Sequence, residues 1–215
     1  TWAEYFVAVE DMVFPMPDSL DDEMAAQLIA MPLSALMLLE FLELQAGQWV
    51  IQNAANGAVG KSLAMLAAAR GVKTINVVRS SDAVAELEAI GVKNNINTED
   101  GDWKEQVKSI VGDDKISAAV DSVGGEDSGA LLSLLGHGGT FAVFGAMSGK
   151  PMMLNPTDMI FKQAVLKGFW GSKLSQEMGV ENKQRLVDEL IDRAVNGQLK
   201  LPTEATFDLA DILKA

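Results

Sequence analysis

The spacing of hydrophobic positions changes where the run WVIQNA begins. Before it, apolar residues recur at helical spacing. Ser19 followed three residues later by Asp22 resembles a capping box that opens a helix to about Ala30. Pro32 fits the first position of a second helix that runs to about Leu44. After that point, short apolar runs alternate with longer amphipathic stretches.

This alternation predicts six strands with helices between them. The strands are expected at 49–54, 73–78, 93–97, 116–123, 139–146 and 164–170. The helices are expected at 58–70, 82–90, 102–111, 126–135, 156–162 and 178–196. Strands that alternate with helices of this length form right-handed βαβ units and a parallel sheet. The sequence therefore predicts the α/β class, with a doubly wound parallel sheet of the Rossmann type.

The two ends of the chain do not fit this alternation. Residues 1–18 contain the apolar pieces YFVAV and MVF, which predict a strand or two, and the stretch 201–215 predicts a strand around 205–207. No partner strands for them are evident. We interpret both ends as remnants of a second domain attached to a Rossmann domain at 19–200. In the alternative interpretation, they are edge decorations of a single domain.

Composition excludes several classes of function. The chain has 215 residues and no Cys, so disulfides and thiolate chemistry are excluded, and His137 as the only His makes a zinc site improbable. A net charge of −13 argues against nucleic acid and anionic membranes as partners. The sequence contains no 18-residue apolar run free of charge or Pro and no signal-peptide pattern. Together these features predict a cytoplasmic protein.

The turn after the first strand carries an incomplete glycine motif. Ala55, Gly57 and Gly60 follow the G-x-G-x-x-G spacing with Ala in the first position, between a predicted strand and a predicted helix. Gly57 would let the backbone approach a pyrophosphate, and Gly60 would let the helix pack closely on the sheet. Free N–H groups at the helix start attract anions. A tight corner that serves packing alone explains the same glycines.

Three polar residues at the end of the second strand bear on the choice of cofactor. Sites for NAD place an acidic residue there to accept hydrogen bonds from the ribose. This chain instead has Arg79, Ser80 and Ser81, a cation and two hydroxyls that suit a 2′-phosphate. The pattern favours NADPH over NADH, although a solvated surface Arg remains the alternative.

Later segments add candidates at the carboxyl ends of strands, where an open α/β sheet binds its ligand. They are DSVGG (121–125), FGAM (144–147) and GFWG (168–171). Their aromatic and Met side chains could wall a nicotinamide pocket or belong to the core. Asp121 could be a base, but it fits a turn or capping acceptor better. No catalytic residue and no metal ligand is assigned.

With these residues placed, the chain resembles the zinc-independent medium-chain dehydrogenases and reductases. Within that family it is most similar to the 2-enoyl thioester reductases, followed by the quinone oxidoreductases. The resemblance covers essentially the whole chain and is most specific in VIQNAANGAVG, KTINVVR, DSVGG, GGTFAVFGAM and FKQAVLKGFW.

The resemblance implies a two-domain subunit, with a GroES-like catalytic domain beside the Rossmann domain and NADPH as hydride donor. It implies cofactor contacts at Asn56, Gly57, Ala58, Val59, Arg79, Ser80, Ser81, Phe144, Gly145, Ala146, Met147, Phe169 and Trp170. The implied reaction is reduction of the C=C bond of a 2-enoyl thioester. Quinone or enone reduction, a non-catalytic NADPH-binding module, and a fold without ligand are the alternatives.

The resemblance also implies a homodimer, formed by pairing of the strand at 164–170 across a two-fold axis. Two departures from the family pattern stand out. Met31 precedes Pro32 where the reductases carry a polar Asn that contacts the cofactor. Tyr5 does not match the proton-donating Tyr of the family, which lies further upstream in the catalytic domain. We therefore expect the isolated chain to bind NADPH but to reduce substrate poorly or not at all.

Overall fold

A single parallel sheet organises the chain. The computed structural model describes residues 3–10 and 13–214. The strands in this part are β1 (Trp49–Gln52), β2 (Lys73–Val78), β3 (Asn95–Asn97), β4 (Ile116–Asp121), β5 (Thr140–Val143) and β6 (Val165–Gly168). Their spatial order is β3-β2-β1-β4-β5-β6, and every neighbouring pair is parallel. The predicted doubly wound sheet of six strands is confirmed.

Helices cover both faces of this sheet. They are α1 (Asp22–Leu28), α2 (Met31–Leu42), α3 (Ala58–Ala69), α4 (Ser81–Ala89), α5 (Trp103–Val111), α6 (Glu126–Leu134), α7 (Pro156–Lys162), α8 (Gly171–Glu177) and α9 (Val180–Val195), with a 3-10 helix at Leu209–Lys214. No single helix of the described residues has the length and apolarity to cross a membrane. The bent pair α1 and α2 together passes that test of length and composition.

Two hydrophobic cores flank the sheet, because the strands are apolar on both sides. In β1, Val50 belongs to the core shared with α2, α3, α4 and α9, whereas Ile51 belongs to the core shared with α5 and α6. Both side chains are fully buried. Near-continuous apolar runs are typical of parallel strands whose two faces are covered. The result is a three-layer arrangement with the sheet in the middle.

One helix of the structure was not predicted from the sequence. The helix predicted at 178–196 is confirmed as α9, but α8 precedes it as an additional helix, with Gly179 between them at φ 77°. A positive φ interrupts a right-handed helix, and glycine adopts it without strain. The strand predicted at 164–170 is shorter in the structure, because β6 ends at Gly168 and Trp170 is the N-cap of α8.

The strands predicted at the two ends do not form in the described residues. Residues 3–10 and 13–18 contain no strand, and neither does the stretch 201–208. Their apolar side chains are nonetheless exposed, as at Tyr5 and Phe207. Strands are stable only when a neighbour accepts and donates their backbone hydrogen bonds, and no such neighbour is present here. Met12 of the predicted MVF piece lies outside the described residues.

Candidate functional site

A cleft of about 570 Å³ opens at the carboxyl ends of the strands. Segments that follow β1, β2, β3, β4 and β5 all contribute to its wall. The strand order reverses between β1 and β4, and this reversal leaves the cleft at the centre of the sheet edge. Open α/β sheets bind their ligands at such a switch point.

The turn between β1 and α3 forms one wall of the cleft. The tight bend is at Ala54, which has a φ of 48°, whereas Ala55 is fully buried and donates its N–H to the Val77 oxygen at 3.3 Å. A Cβ on Gly60 would lie 2.6 Å from the Ala55 carbonyl oxygen. Gly60 was predicted to let α3 pack closely on the sheet. In the structure it lets α3 pack closely on the backbone of the preceding turn at Ala55.

The first turn of α3 presents backbone donors that lack partners. The N–H groups of Ala58, Val59 and Gly60 donate to no acceptor among the described residues, and the N-cap Gly57 offers no side chain. Ala58, Val59, Gly57 and the predicted Asn56 all line the cleft. Unpaired N–H groups at a helix start carry partial positive charge and bind anions.

Arg79 is the one Lys or Arg among the described residues that line the cleft. Its side chain is exposed and forms no ion pair with them. Lys61, which directly follows the glycine turn in the sequence, is bonded to Glu86 on α4 instead. Arg79 is therefore the cation that the fold leaves available to an anionic ligand.

The two serines after Arg79 begin α4. The hydroxyl of Ser80 accepts a hydrogen bond from the Ala83 N–H at 3.3 Å and caps the helix, and Ser81 is the first helical residue. Neither serine lines the cleft as it stands. A capping hydroxyl accepts through oxygen and keeps its proton, so Ser80 can still donate to an anion beside Arg79.

A buried carboxylate at the end of β4 holds together the segments that follow β1 and β4. Asp121 at the end of β4 is fully buried and accepts hydrogen bonds from the Asn53 side chain at 2.8 Å and from the Val123 and Gly124 N–H groups at 2.9 and 3.0 Å. The hydroxyl of Ser128 donates to its other oxygen. Its role is the turn acceptor that the sequence analysis favoured over a base.

Asn53 connects this carboxylate to the cleft wall. Its side-chain oxygen accepts the Ser122 N–H at 2.7 Å, so the ends of β1 and β4 are joined by a pair of side-chain hydrogen bonds. Asn53 and Ser122 both line the cleft. The signal was present in the sequence as polar residues directly after the apolar runs WVIQ and ISAAV, but their pairing depends on the strand order.

The segment after β5 supplies apolar side chains to the opposite wall. Phe144 and Met147 line the cleft, whereas Gly145 and Ala146 do not. A Cβ on Gly145 would lie 2.8 Å from the Ser122 oxygen, so this glycine lets the segments after β4 and β5 pack together. The Met147 N–H donates to the same oxygen at 3.1 Å.

The structure does not bring Phe169 and Trp170 to the cleft wall. Phe169 is buried and stacks on Phe144 with ring centroids 5.4 Å apart, and it meets Phe41 of α2 edge-on at 5.5 Å. It therefore supports the cleft from behind. Trp170 is 67% exposed at the start of α8.

Several lining residues were not predicted from the sequence. Thr98 follows β3, Trp103 starts α5, and Asp127 lies in the first turn of α6. Met31 at the start of α2, noted above as a departure from the family pattern, also lines the cleft. These positions come from segments far apart in the chain, and no local pattern marks them.

The cleft offers binding groups without an evident acid–base pair. Its charged lining residues are Arg79 and Asp127. Among residues 3–10 and 13–214, no group of three or more His, Cys, Asp or Glu side chains could hold a metal ion. The wall can bind an anion at the α3 terminus and at Arg79, and an apolar ring beside Phe144 and Met147.

Comparison with known proteins gives one family match. The family described as zinc-binding dehydrogenase matches residues 58–189, which is more than half of the chain. This range runs from the start of α3 into α9 and so includes most of the cleft.

Curated relatives and a solved structure extend the match to the ends of the chain. The mitochondrial enoyl-[acyl-carrier-protein] reductase of Arabidopsis thaliana is 34% identical over 95% of this chain and 56% of its own length. The human enzyme of that name is 33% identical over 100% and 59%. A putative NADPH:quinone reductase from Bacillus thuringiensis superposes with a TM-score of 0.85 and 29% identity, over 97% of this chain and 63% of its own. The chain thus spans less than two thirds of each.

Proposed function

Since the chain belongs to the zinc-binding dehydrogenase family, we propose that its cleft binds NADPH and that the whole protein is a reductase. The observation that carries the proposal is the pairing of two anion sites on one wall. The unpaired N–H groups of Ala58 and Val59 suit a pyrophosphate, and Arg79 suits a 2′-phosphate.

The fit of the cofactor rests on shape as well as charge. A Cβ on Gly57 would come within 3.3 Å of the Ala54 oxygen, and Gly57 lines the cleft at the start of α3, where we propose that the phosphates bind. Phe144 and Met147 provide an apolar wall further along the cleft. The cofactor, when bound, supplies a hydride. The residues of this chain bind it and orient it.

Arg79 provides the test of this assignment. Replacing it by Gln removes a charge-assisted contact to the 2′-phosphate, so the affinity for NADPH should fall about tenfold or more. The affinity for NADH, which lacks that phosphate, should stay within about twofold. Both affinities are measured from the fluorescence of NADPH or NADH as protein is added. The proteins compared are the wild type, Arg79→Gln and the control Lys183→Gln. Equal losses for the two cofactors, or no loss, would overturn the phosphate assignment.

For the whole protein we propose reduction of the C=C bond of 2-enoyl thioesters. The support is the name of the relatives that are 33% and 34% identical. Hydride delivery to the β-carbon develops an enolate, which needs electrostatic stabilisation and a proton. No residue of this chain is assigned to those two roles. We expect the full-length parent to reduce crotonyl-CoA. We expect the 215-residue chain to bind NADPH without comparable turnover.

Quinone reduction is the second candidate, favoured by the likeness to the Bacillus thuringiensis protein, whose name describes a putative NADPH:quinone reductase. Both reactions use the same hydride donor, and this cleft serves either. Comparing turnover of crotonyl-CoA and of a benzoquinone by the full-length parent distinguishes them. A cofactor titration that succeeds, without turnover of either substrate, would favour a non-catalytic NADPH-binding module.

We further propose that the ends of the chain belong to a second, catalytic domain, and that the protein forms a homodimer through β6. The exposed apolar residues near both ends, such as Tyr5, Val7 and Phe207, support the first point. The open edge of β6 supports the second, because Val165 and Leu166 are 45% and 41% exposed there. Pairing of two such edges would continue the sheet across a two-fold axis.

We propose that the protein is cytoplasmic. The absence of Cys suits the reducing cytosol, whereas the curated relatives above are named as mitochondrial proteins. Fractionation of cells that carry the full-length parent with a C-terminal tag tests the proposal, and recovery of the tag in the mitochondrial fraction would overturn it.

A further inference from the structure

A second cavity lies at the edge of the sheet opposite to the cleft. Its volume is about 530 Å³, within the range of small-molecule sites. The last turns of α3, the start of β2, the loop before β3 and the loop after α9 form its wall. Helix α3 lines the cleft with Ala58 and Val59 and lines this cavity from Ala64 onward, so about 7.5 Å along the helix axis separates the nearest lining residues.

The wall of this cavity is positively charged. Lys73, Lys93 and Lys200 line it, and no acidic side chain does. Lys73 forms an ion pair with Asp114, with 3.0 Å between Nζ and Oδ2. Lys93 and Lys200 form no ion pair with any described residue. In a protein with a net charge of −13, three lysines around one cavity make a local site for an anion.

The cavity also has a buried hydroxyl group that can donate. Thr74 lines it and is only 7% exposed. Its Oγ1 accepts a hydrogen bond from the Asn76 amide at 3.1 Å, but the hydroxyl proton has no acceptor among the described residues. Because the oxygen accepts this bond, the hydroxyl can donate its proton to an acceptor atom of a ligand. Thr74 thus adds a neutral donor beside the lysines of this wall.

The rest of the wall is apolar. Met65, Val72, Ile90 and Val92 line the cavity together with alanines of α3. The backbone N–H of Lys200 meets the Met65 sulfur at 3.4 Å, a weak acceptor, so the sulfur closes one side. An ion alone would leave this surface uncovered, whereas a ligand with an apolar body would bury it.

We propose that this cavity is a second ligand site, which takes a small amphipathic anion. The ligand has a carboxylate or phosphate head near Lys93, Lys200 and Thr74, and a short apolar chain or ring against Met65 and Ile90. The site is separate from the cleft, so it binds its ligand whether or not the cleft is occupied. It gives the protein a binding activity in addition to that of its cofactor site.

The proposal is tested by adding octanoate to the full chain labelled with 15N and recording two-dimensional NMR spectra of its amides. We expect shift changes centred on the amides of Gly91, Asn94 and Gly197, a dissociation constant of about 1 mM or tighter, and no displacement by saturating NADPH. 1-Octanol and inorganic phosphate, which each lack one half of the ligand, should bind at least about fivefold more weakly. Absent shifts, phosphate binding as tight as octanoate binding, or displacement by NADPH would overturn it.

Matched variants measure separately how the charge and the shape of the cavity contribute to octanoate binding. Lys93→Gln combined with Lys200→Gln should weaken octanoate binding at least about fivefold, because both unpaired cations are lost. Lys183→Gln changes a half-buried lysine of α9 that does not line the cavity, and it should leave octanoate binding unchanged.

Ala68→Leu fills the cavity from an exposed helical position, and it too should weaken binding at least about fivefold. Ala85→Leu makes the same change on an exposed part of α4 outside the cavity and should have no effect. All four variants should keep the wild-type affinity for NADPH. Unchanged octanoate binding in both cavity variants would show that the ligand binds elsewhere.

Discussion

Gly60 shows how closely the residues of the cleft constrain one another. The helix that carries it touches the preceding turn, and a Cβ there would lie 2.6 to 2.8 Å from three backbone atoms of Ala55. Ala55 is itself fully buried and bonded to Val77 of β2. Neither side of this contact can move without shifting the first turn of α3, which holds the free N–H groups.

Replacing Gly60 by Ala should therefore destabilise the protein by about 1–3 kcal/mol, because the added methyl group overlaps backbone rather than a flexible side chain. Urea unfolding followed by circular dichroism measures the change. Gly101→Ala is the control, since a Cβ at Gly101 meets nothing within 4 Å. If both variants unfolded at the same urea concentration as the wild type, the close contact would be refuted.

Asp121 permits a test of the difference between hydrogen bonding and charge. Asp121→Ala leaves the Asn53 amide and the Val123 and Gly124 N–H groups without their acceptor and should cost about 2–4 kcal/mol. Asp121→Asn keeps an oxygen at that place and should cost about 1 kcal/mol. Thermal and urea unfolding of both variants gives the comparison. An Ala variant as stable as the Asn variant would contradict this role.

At the level of secondary-structure elements, a charged cluster ties three helices together. Arg70 follows α3 and bonds to Glu189 of α9 at 2.6 and 2.9 Å and to Glu40 of α2 at 2.7 Å. The hydrogen bond from Arg70, opposed by burial, holds the pKa of Glu189 below its ordinary value. The same bond raises the pKa of Arg70 further above any physiological pH.

This cluster predicts a pH dependence of stability. Because the pKa of Glu189 is lower in the folded state, its contribution is present above the unfolded pKa of about 4.3 and is lost as the pH falls through the folded value. Glu189→Gln should thus be about 1 kcal/mol less stable than the wild type at pH 7, and the difference should shrink below pH of about 4.3. Urea unfolding at several pH values measures it.

The control for this experiment is Glu204→Gln, an exposed position outside the helices that forms no ion pair with the described residues. Its stability should track the wild type at every pH. If the loss of unfolding free energy in Glu189→Gln grew as the pH fell, the pH dependence would have the opposite sign and the role of the Arg70–Glu189 pair would be refuted.

At the scale of the whole molecule, the sheet has one open apolar edge. β6 pairs only with β5 among the described strands, and Ile160 and Phe161 of the adjacent α7 are exposed as well. An uncovered edge of this kind pairs readily with another copy. The proposed homodimer would remove it from solvent.

Leu166→Lys tests the dimer, because a charge at the centre of a paired edge would be buried between two copies. We expect the wild type to elute as a dimer and the variant as a monomer in size-exclusion chromatography with light scattering. Val180→Lys places the same charge on an exposed apolar residue of α9 and should leave the mass unchanged. A wild-type chain that is monomeric at all concentrations would rule out the interface in this chain.

The alternation of apolar runs and amphipathic stretches determined the order of the elements from β1 to β6 and the class of the fold. The turn with Gly57 and Gly60, and Arg79 at the end of β2, pointed to the cleft because these signals are local. The polar sequence of α8, GSKLSQE, carries no apolar periodicity, so that helix was not predicted.

Only the tertiary structure decided which side chains meet. Asn53 and Asp121 are 68 residues apart and become partners because β1 and β4 are neighbours at the point where the strand order reverses. Phe169 was assigned to the cofactor wall from its position in the chain, yet packing against Phe41 and Phe144 places it behind that wall. Local patterns determine secondary structure, whereas contacts between distant segments depend on how the elements pack.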